Sequence, residues 1–312
     1  MVHFAKKKIK GNKYLYAEHS FRLPNKKIKK ISKRVYEEDE NIKFYLYEKE
    51  IEEYQKFNLD KYKPNTILTE DKIKKFEEIK IKYKKIINKL TKKQISDILD
   101  RFTINFTYES NAIEGNSLTL KDVTLILHEK IVPKNKDLRE IYETKNTREA
   151  HNLLFKNKIK INKESIINLH KIIVKDTGVS FGYKKIENYL LMRNIKTISP
   201  EKVEKEMNKL IEWYNSNKEK NHPILLASEF HARFEQIHPF EDGNGRVGRI
   251  LINSILIEHG YPPLIIRKSM RLSYFNALEA FDNGYKDKLH RFLIQKFEKT
   301  FKNFFEVYYK YV

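Results

Sequence analysis

The chain of 312 residues contains no cysteine. That excludes disulfide frameworks, cysteine-based zinc sites and thiol nucleophiles. It also fits a reducing compartment, so a cytoplasmic protein is expected. Long apolar runs are missing too. The most apolar stretch, residues 250–266, is interrupted by Glu258, His259 and two prolines, and no membrane span is predicted. The basic N-terminus has no apolar segment of signal-peptide length behind it. Internal repeats and low-complexity linkers are absent. The length suits one large domain or two modest ones with a core that needs no staples.

Acidic residues are the scarcer charge: 63 Lys and Arg against 42 Asp and Glu leave a formal net charge of +21. A polyanion partner would account for this through counterion release. So does a composition rich in Lys, Ile and Asn. The basic residues run the whole length, often interleaved with acids as at 71–78, and there is no RNP-like motif or zinc finger. The compositional reading is preferred, with nucleic acid kept as the less favoured partner.

Residues 1–64 read as a separate region of unknown role, suited to docking a target or partner. It contains a β-hairpin turning at Pro24-Asn25. Beyond Pro64, Thr69 can cap a helix with Ile73, Phe76, Tyr83, Ile87 and Leu90 on its apolar face. A second helical pattern runs through Ile95, Ile98, Leu99, Phe102 and Phe106, and Thr119–Asp122 is a start signal for another helix. Helical spacing recurs at Val203, Met207, Leu210 and Ile211. It returns after Pro223 at Leu226, Phe230, Phe234 and Ile237. Between these, residues 185–198 lack a helical stripe and read as a short extended hairpin.

The chemistry concentrates in His238-Pro-Phe-Glu-Asp-Gly-Asn-Gly-Arg-Val-Gly-Arg249, a loop between two helical runs. Gly243, Asn244 and Gly245 let the backbone aim its N–H groups at one point, and the following helix N-terminus adds positive potential. Arg246 and Arg249 add fixed charge about one helical turn apart. Asp242 can hold Mg²⁺, which takes one or two carboxylates and completes its shell with phosphate oxygens. His238 can accept a proton from an attacking hydroxyl. These residues describe a nucleotide-phosphate site with a base beside it.

This segment resembles the pattern His-Pro-Phe-x-(Asp/Glu)-Gly-Asn-Gly-Arg-x-x-Arg of the Fic (filamentation induced by cAMP) family. A chance match at a given place is on the order of one in 10^11 at roughly 5% per residue type. The resemblance spans residues 85–295 and implies a mainly α fold: a helical bundle with a β-hairpin flap, here preceded by a small N-terminal β-rich region. It implies an inhibitory helical region at 65–160 and a catalytic core at 161–312. It also implies transfer of AMP from ATP to a Ser, Thr or Tyr hydroxyl of a protein target, the chain itself included. His238 would be the base and Asp242 the Mg²⁺ ligand. Gly243, Asn244 and Gly245 would form the anion turn, with Arg246 on the phosphates, Arg249 on the γ-phosphate and Phe240 anchoring the loop.

Upstream, Ser110-Asn-Ala-Ile-Glu114-Gly115-Asn116 reads by itself as a helix end with an αL cap. Beside the motif, it resembles the family's inhibitory pattern (Ser/Thr)-x-x-x-Glu-(Gly/Asn). That implies Glu114 pairing with Arg249 and an autoinhibited enzyme whose inhibitory helix precedes the core. Tyr189, Leu190, Leu191 and Met192 correspond in position to the flap, which pairs with an extended target segment. His231 reads as a packing residue, and His170 is assigned no chemistry.

Other readings remain at this point. A Doc-type kinase would have Lys where this chain has Gly245. A de-AMPylating or bifunctional enzyme would use Glu114 to orient water. A nucleic-acid-binding regulator would carry the Fic core as a passenger. An inactive scaffold is opposed by the intact motif. A homodimer is compatible with the sequence.

Overall fold

The computed structural model describes residues 2–39, 41–188, 190 and 196–311. The chain divides into two compact units, Met1–Ile81 and Lys82–Val312.

In the first unit, β1 (Val2–Ile9), β2 (Asn12–Arg22) and β3 (Ile28–Val35) form an antiparallel sheet in the order β1-β2-β3. The expected hairpin at Pro24-Asn25 joins β2 to β3. The added strand β1 returns through Lys10 and Gly11, both at positive φ (48° and 86°), the conformation a two-residue hairpin turn needs. Ala17 on β2 packs with Ile42 and Leu46 of α1 (Asn41–Tyr62), flanked by Phe4, Ile31 and Val35. Phe21, Leu23, Tyr54 and Ile81 form a second apolar cluster.

Helix α2 (Glu70–Lys89) starts after Thr69, whose Oγ1 accepts from Lys72 N–H at 3.4 Å. Ile73 and Phe76 are fully buried, Tyr83 and Ile87 are half-buried, and Leu90 falls beyond the helix. The second unit continues with α3 (Lys92–Ile113), α4 (Leu120–Thr124), α5 (Leu138–Phe155) and α6 (Lys163–Ile173). Thr91 with Gln94 and Thr119 with Asp122 make reciprocal capping boxes at the starts of α3 and α4. Then come α7 (Pro200–Asn217), α8 (Pro223–Ile237), α9 (Asn244–Glu258), α10 (Arg271–Asp282), α11 (Lys286–Phe304) and the short α12 (Glu306–Tyr309). Among the described residues, no helix is long and apolar enough to cross a membrane.

The antiparallel pair α8–α9 is the centre of this unit. α7, α10 and α11 pack on α8, while α3, α5 and α6 pack on α9. Leu226, Phe230 and Phe234 are fully buried on α8, as are Ile250, Leu251, Ile252, Ile255 and Leu256 on α9. Each such side chain contributes roughly 1.5–3 kcal/mol of burial free energy. The short connection between these two helices, 238–243, is thereby fixed from both ends.

Candidate active site

α8 ends at His238, which takes the left-handed conformation (φ 50°, ψ 62°) and donates its backbone N–H to Phe234 O at 2.9 Å. A non-glycine residue held there costs on the order of 1–3 kcal/mol, so the surroundings must impose it. Phe240 does much of that work. It is fully buried and stacks face to face on His170 of α6, with ring centroids 3.8 Å apart and planes at 1°. Asn244 closes the loop from the other side: its Oδ1 accepts from Phe240 N–H at 2.9 Å and its Nδ2 donates to Phe240 O at 2.8 Å. The side chain of Asn244 is thus spent on shaping the turn.

His170 has a defined role as scaffold. Gly182 N–H donates to its Nδ1 at 3.1 Å, so the proton sits on Nε2, which donates to Asp242 O at 3.0 Å. Burial pushes its pKa down to about 4, with Arg246 acting in the same direction. A neutral imidazole therefore holds the carbonyl of the residue expected to bind metal.

The expected cradle residues do come together. Gly243 turns the chain at φ +80° and α9 begins at Asn244, so the helix's positive end faces the loop. Arg246 and Arg249 are both buried on α9. Arg246 pairs with Glu143 (3.1 Å) and Asp242 (3.2 Å). Asp242 also receives Arg139 Nη2 at 2.5 Å. Burial acts to raise the Asp242 pKa, but Arg246, the Gly243 N–H and Arg139 outweigh it and hold the carboxyl below its usual range. Arg139 and Glu143, both on α5, carry no motif. An acid–base spacing of four residues on a helix was their only local signal.

The Ser110–Asn116 segment ends α3 in a Schellman motif. Gly115 stands at φ +105°, Asn116 N–H donates to Asn111 O, and Gly115 N–H donates to Ala112 O. The helix end and the expected pairing of Glu114 with Arg249 therefore coexist. Arg249 Nε donates to Ser110 Oγ (2.9 Å), its Nη2 to Ser110 O (2.8 Å), and its Nη1 lies 2.7 Å from Glu114 Oε1. Burial opposes the Arg249 charge, and Glu114 more than offsets it, leaving the guanidinium pKa raised. A Cβ on Gly245 would stand 2.1 Å from Glu114 Oε1. Only glycine leaves room for that carboxylate over the turn.

Around His238, the Glu235 carboxylate lies 3.8 Å from Nδ1, close enough to favour an imidazolium once a proton is taken. His231 is buried, bonded to Tyr274 Oη at 2.6 Å and stacked on its ring, as its packing role requires. The segment 184–188 is tied to the loop by Lys184 N–H to Pro239 O (2.9 Å) and Asn188 Nδ2 to Phe240 O (2.7 Å). Leu190 is half-buried without regular structure, while Tyr189, Leu191 and Met192 lie outside the described residues.

The Fic/DOC family model matches residues 160–256, which contain α6, α8, the loop and nearly all of α9. The chain carries a Fic domain. Two relatives named protein adenylyltransferase Fic are similar in sequence. The Nematostella vectensis protein is 32% identical over 62% of this chain and 46% of its own length. The Drosophila willistoni protein is 30% identical over 62% and 40%. This chain therefore spans less than half the length of these relatives. Among solved structures, a Fic-domain signalling protein from Bacteroides thetaiotaomicron superposes with a TM-score of 0.66 at 27% identity, covering 73% of this chain and 94% of that one. A C. elegans Fic-1 fragment gives the same TM-score at 22% identity, covering 76% of this chain and 72% of that one, a likeness of fold. The mainly α fold is that of the resemblance, and the small sheet is the β-rich region expected to precede it.

Proposed function

We propose that the Fic domain transfers AMP from ATP to a Ser, Thr or Tyr hydroxyl of a protein and that Glu114 holds this activity in check. The observation carrying the proposal is the seating of Glu114 on buried Arg249, directly over Gly245. An arginine placed for phosphate is occupied by a carboxylate from the same chain. Gly245, where a Doc-type kinase has Lys, supports nucleotidyl rather than phosphoryl transfer, and the relatives' name agrees.

In the proposed reaction, the target hydroxyl oxygen attacks the α-phosphorus in line. The bond from that phosphorus to the bridging oxygen breaks, pyrophosphate leaves, and His238 takes the hydroxyl proton with Glu235 stabilising the resulting imidazolium. Arg246 and Arg249 bind phosphate oxygens, so positioning and charge neutralisation supply most of the rate.

Asp242 fits a Mg²⁺ ligand: its carboxylate is ionised and 38% exposed. Among the described residues, no group of three or more His, Asp or Glu stands together for a metal. Nucleotide oxygens would complete the shell. Bound there, Mg²⁺ would neutralise phosphate charge.

Residues 189–192 are proposed to pair with the target segment. Residues 65–160 and 161–312 serve as braking region and catalytic core, with 1–64 appended. The lack of cysteine supports a cytoplasmic setting.

ATP labelled separately on the α- and γ-phosphates tests this with wild type, Glu114→Gly and His238→Ala. Strong α-label incorporation in Glu114→Gly, weak in wild type and none in His238→Ala is expected. Transfer of γ-label, or α-label transfer by His238→Ala, would overturn it.

A further inference from the structure

The positive charge is far from evenly spread. Residues 1–35, which hold the three strands, contain twelve Lys and Arg and a single acid, Glu18. More than half of the net +21 thus lies on this N-terminal segment, with nine of the twelve cations on the strands and three in the connecting turns, although four acids follow in sequence at 37–40. The basic residues themselves run the whole length, as expected; it is the surplus over acids that concentrates at this end.

The sheet has two faces, because side chains alternate along a strand. One carries Phe4, Ala17, Ile31 and Val35 and packs on α1. The register places His3, Lys7, Tyr14, Tyr16, Glu18, Lys30 and Arg34 on the other. On that outer face Glu18 is 2% exposed, pinned by Lys7 and Lys30 at 2.5 Å each. Its pKa falls to about 2, with the Lys30 bond the largest cause and the Lys7 bond next. The one negative charge of the sheet is therefore neutralised and covered.

What remains is cationic and aromatic. The Arg34 guanidinium lies 3.9 Å from the Tyr14 ring centroid and 5.8 Å from that of Tyr36. Lys7 sits 4.7 Å from the Tyr16 centroid. Tyr36 is 94% exposed.

We infer that this outer face is a docking surface for single-stranded nucleic acid. Rings and a guanidinium plane offer stacking to unpaired bases, and Lys7, Lys30 and Arg34 exceed the single charge of Glu18, leaving this face net positive toward phosphates. A duplex keeps its bases stacked away from such a flat face, which favours the single strand. The inference stands independently of AMP transfer, since it uses no residue of the Fic domain. RNA and DNA share the chemistry, and the experiment separates them.

The test is fluorescence anisotropy of the full chain with labelled oligo-rU, oligo-dT and a short duplex, each over a series of salt concentrations. Single strands are expected to bind, with the preferred sugar identifying RNA or DNA. Affinity should fall steeply with salt, and Arg34→Gln should reduce the logarithmic slope by roughly 0.7. Tyr36→Ala should weaken binding roughly ten-fold, while Tyr36→Phe retains it. Neither position is buried, so folding is not at issue. Lys202→Gln with Lys205→Gln, exposed on α7, should leave affinity unchanged. Absence of binding, equal binding of duplex, or equal loss in the α7 control would overturn the inference. So would displacement of the strand by phosphatidylserine vesicles together with indifference to Tyr36→Ala.

Discussion

Glu114 Oε1 lies 2.7 Å from Arg249 Nη1, and the same oxygen occupies the space a side chain at residue 245 would need. One carboxylate thus answers the buried charge of α9 and caps the glycine turn. In Glu114→Gly, buried Arg249 keeps its two bonds to Ser110 but loses its ion pair. A stability loss of about 1–3 kcal/mol is expected, near the lower end because Glu114 is 34% exposed and water can replace it. Urea denaturation checks this. ATP should meanwhile bind more tightly, measured by calorimetry.

Gly245→Ala tests the same contact from the opposite side. Its methyl would overlap Glu114, and overpacking typically costs about 1–3 kcal/mol. Much of that cost should vanish when Glu114→Gly is present too, because the clashing atom is gone. A residual cost should remain from Arg249 Nη1, 2.9 Å from the same point. A double-mutant cycle by denaturation reads the coupling.

Arg139 competes for the carboxylate that Mg²⁺ would use, at 2.5 Å from Asp242 Oδ2. Arg139→Ala should lower the Mg²⁺ concentration needed for half-maximal ATP binding by a few-fold. Asp242→Ala in the same titration should remove the Mg²⁺ dependence. Calorimetric titration of ATP at stepped Mg²⁺ concentrations measures both.

Acid should destabilise the protein in two windows. His151 and His170 are buried neutral, their pKa values pushed by burial to about 3 and about 4. Both are fully neutral above the unfolded value of about 6.5, where they carry no penalty. Below it the unfolded chain binds protons that the folded chain refuses, and stability drops by up to about 1.4 kcal/mol per pH unit for each group. Glu18 works in the other window: its stabilisation is present above its ordinary value of 4.5 and is lost as pH falls through about 2. Urea midpoints should therefore fall from pH 6.5 toward 4, less steeply in His170→Phe. Glu18→Gln should flatten the slope below pH 4.5.

How much of this was legible in the sequence follows the range of the forces involved. The helix starts at Thr69 and Thr119, the apolar face of α8 and the loop from His238 to Arg249 rest on contacts within a few residues. Their signals stand in consecutive letters. The αL cap at Gly115 was legible for the same reason. The strand Val2–Ile9 was not, because Lys6-Lys7-Lys8 breaks the alternation that marks a half-buried strand, and only pairing with β2 defines it. Arg139 and Glu143 reach Asp242 and Arg246 only because α5 packs on α9. His170 becomes a scaffold only when Phe240 stacks on it. The sequence by itself determined which groups could carry charge and proton transfer, since those are properties of residue types at short spacing. Tertiary structure alone decided which cation faces which anion, because that depends on helices far apart in the chain sharing one core.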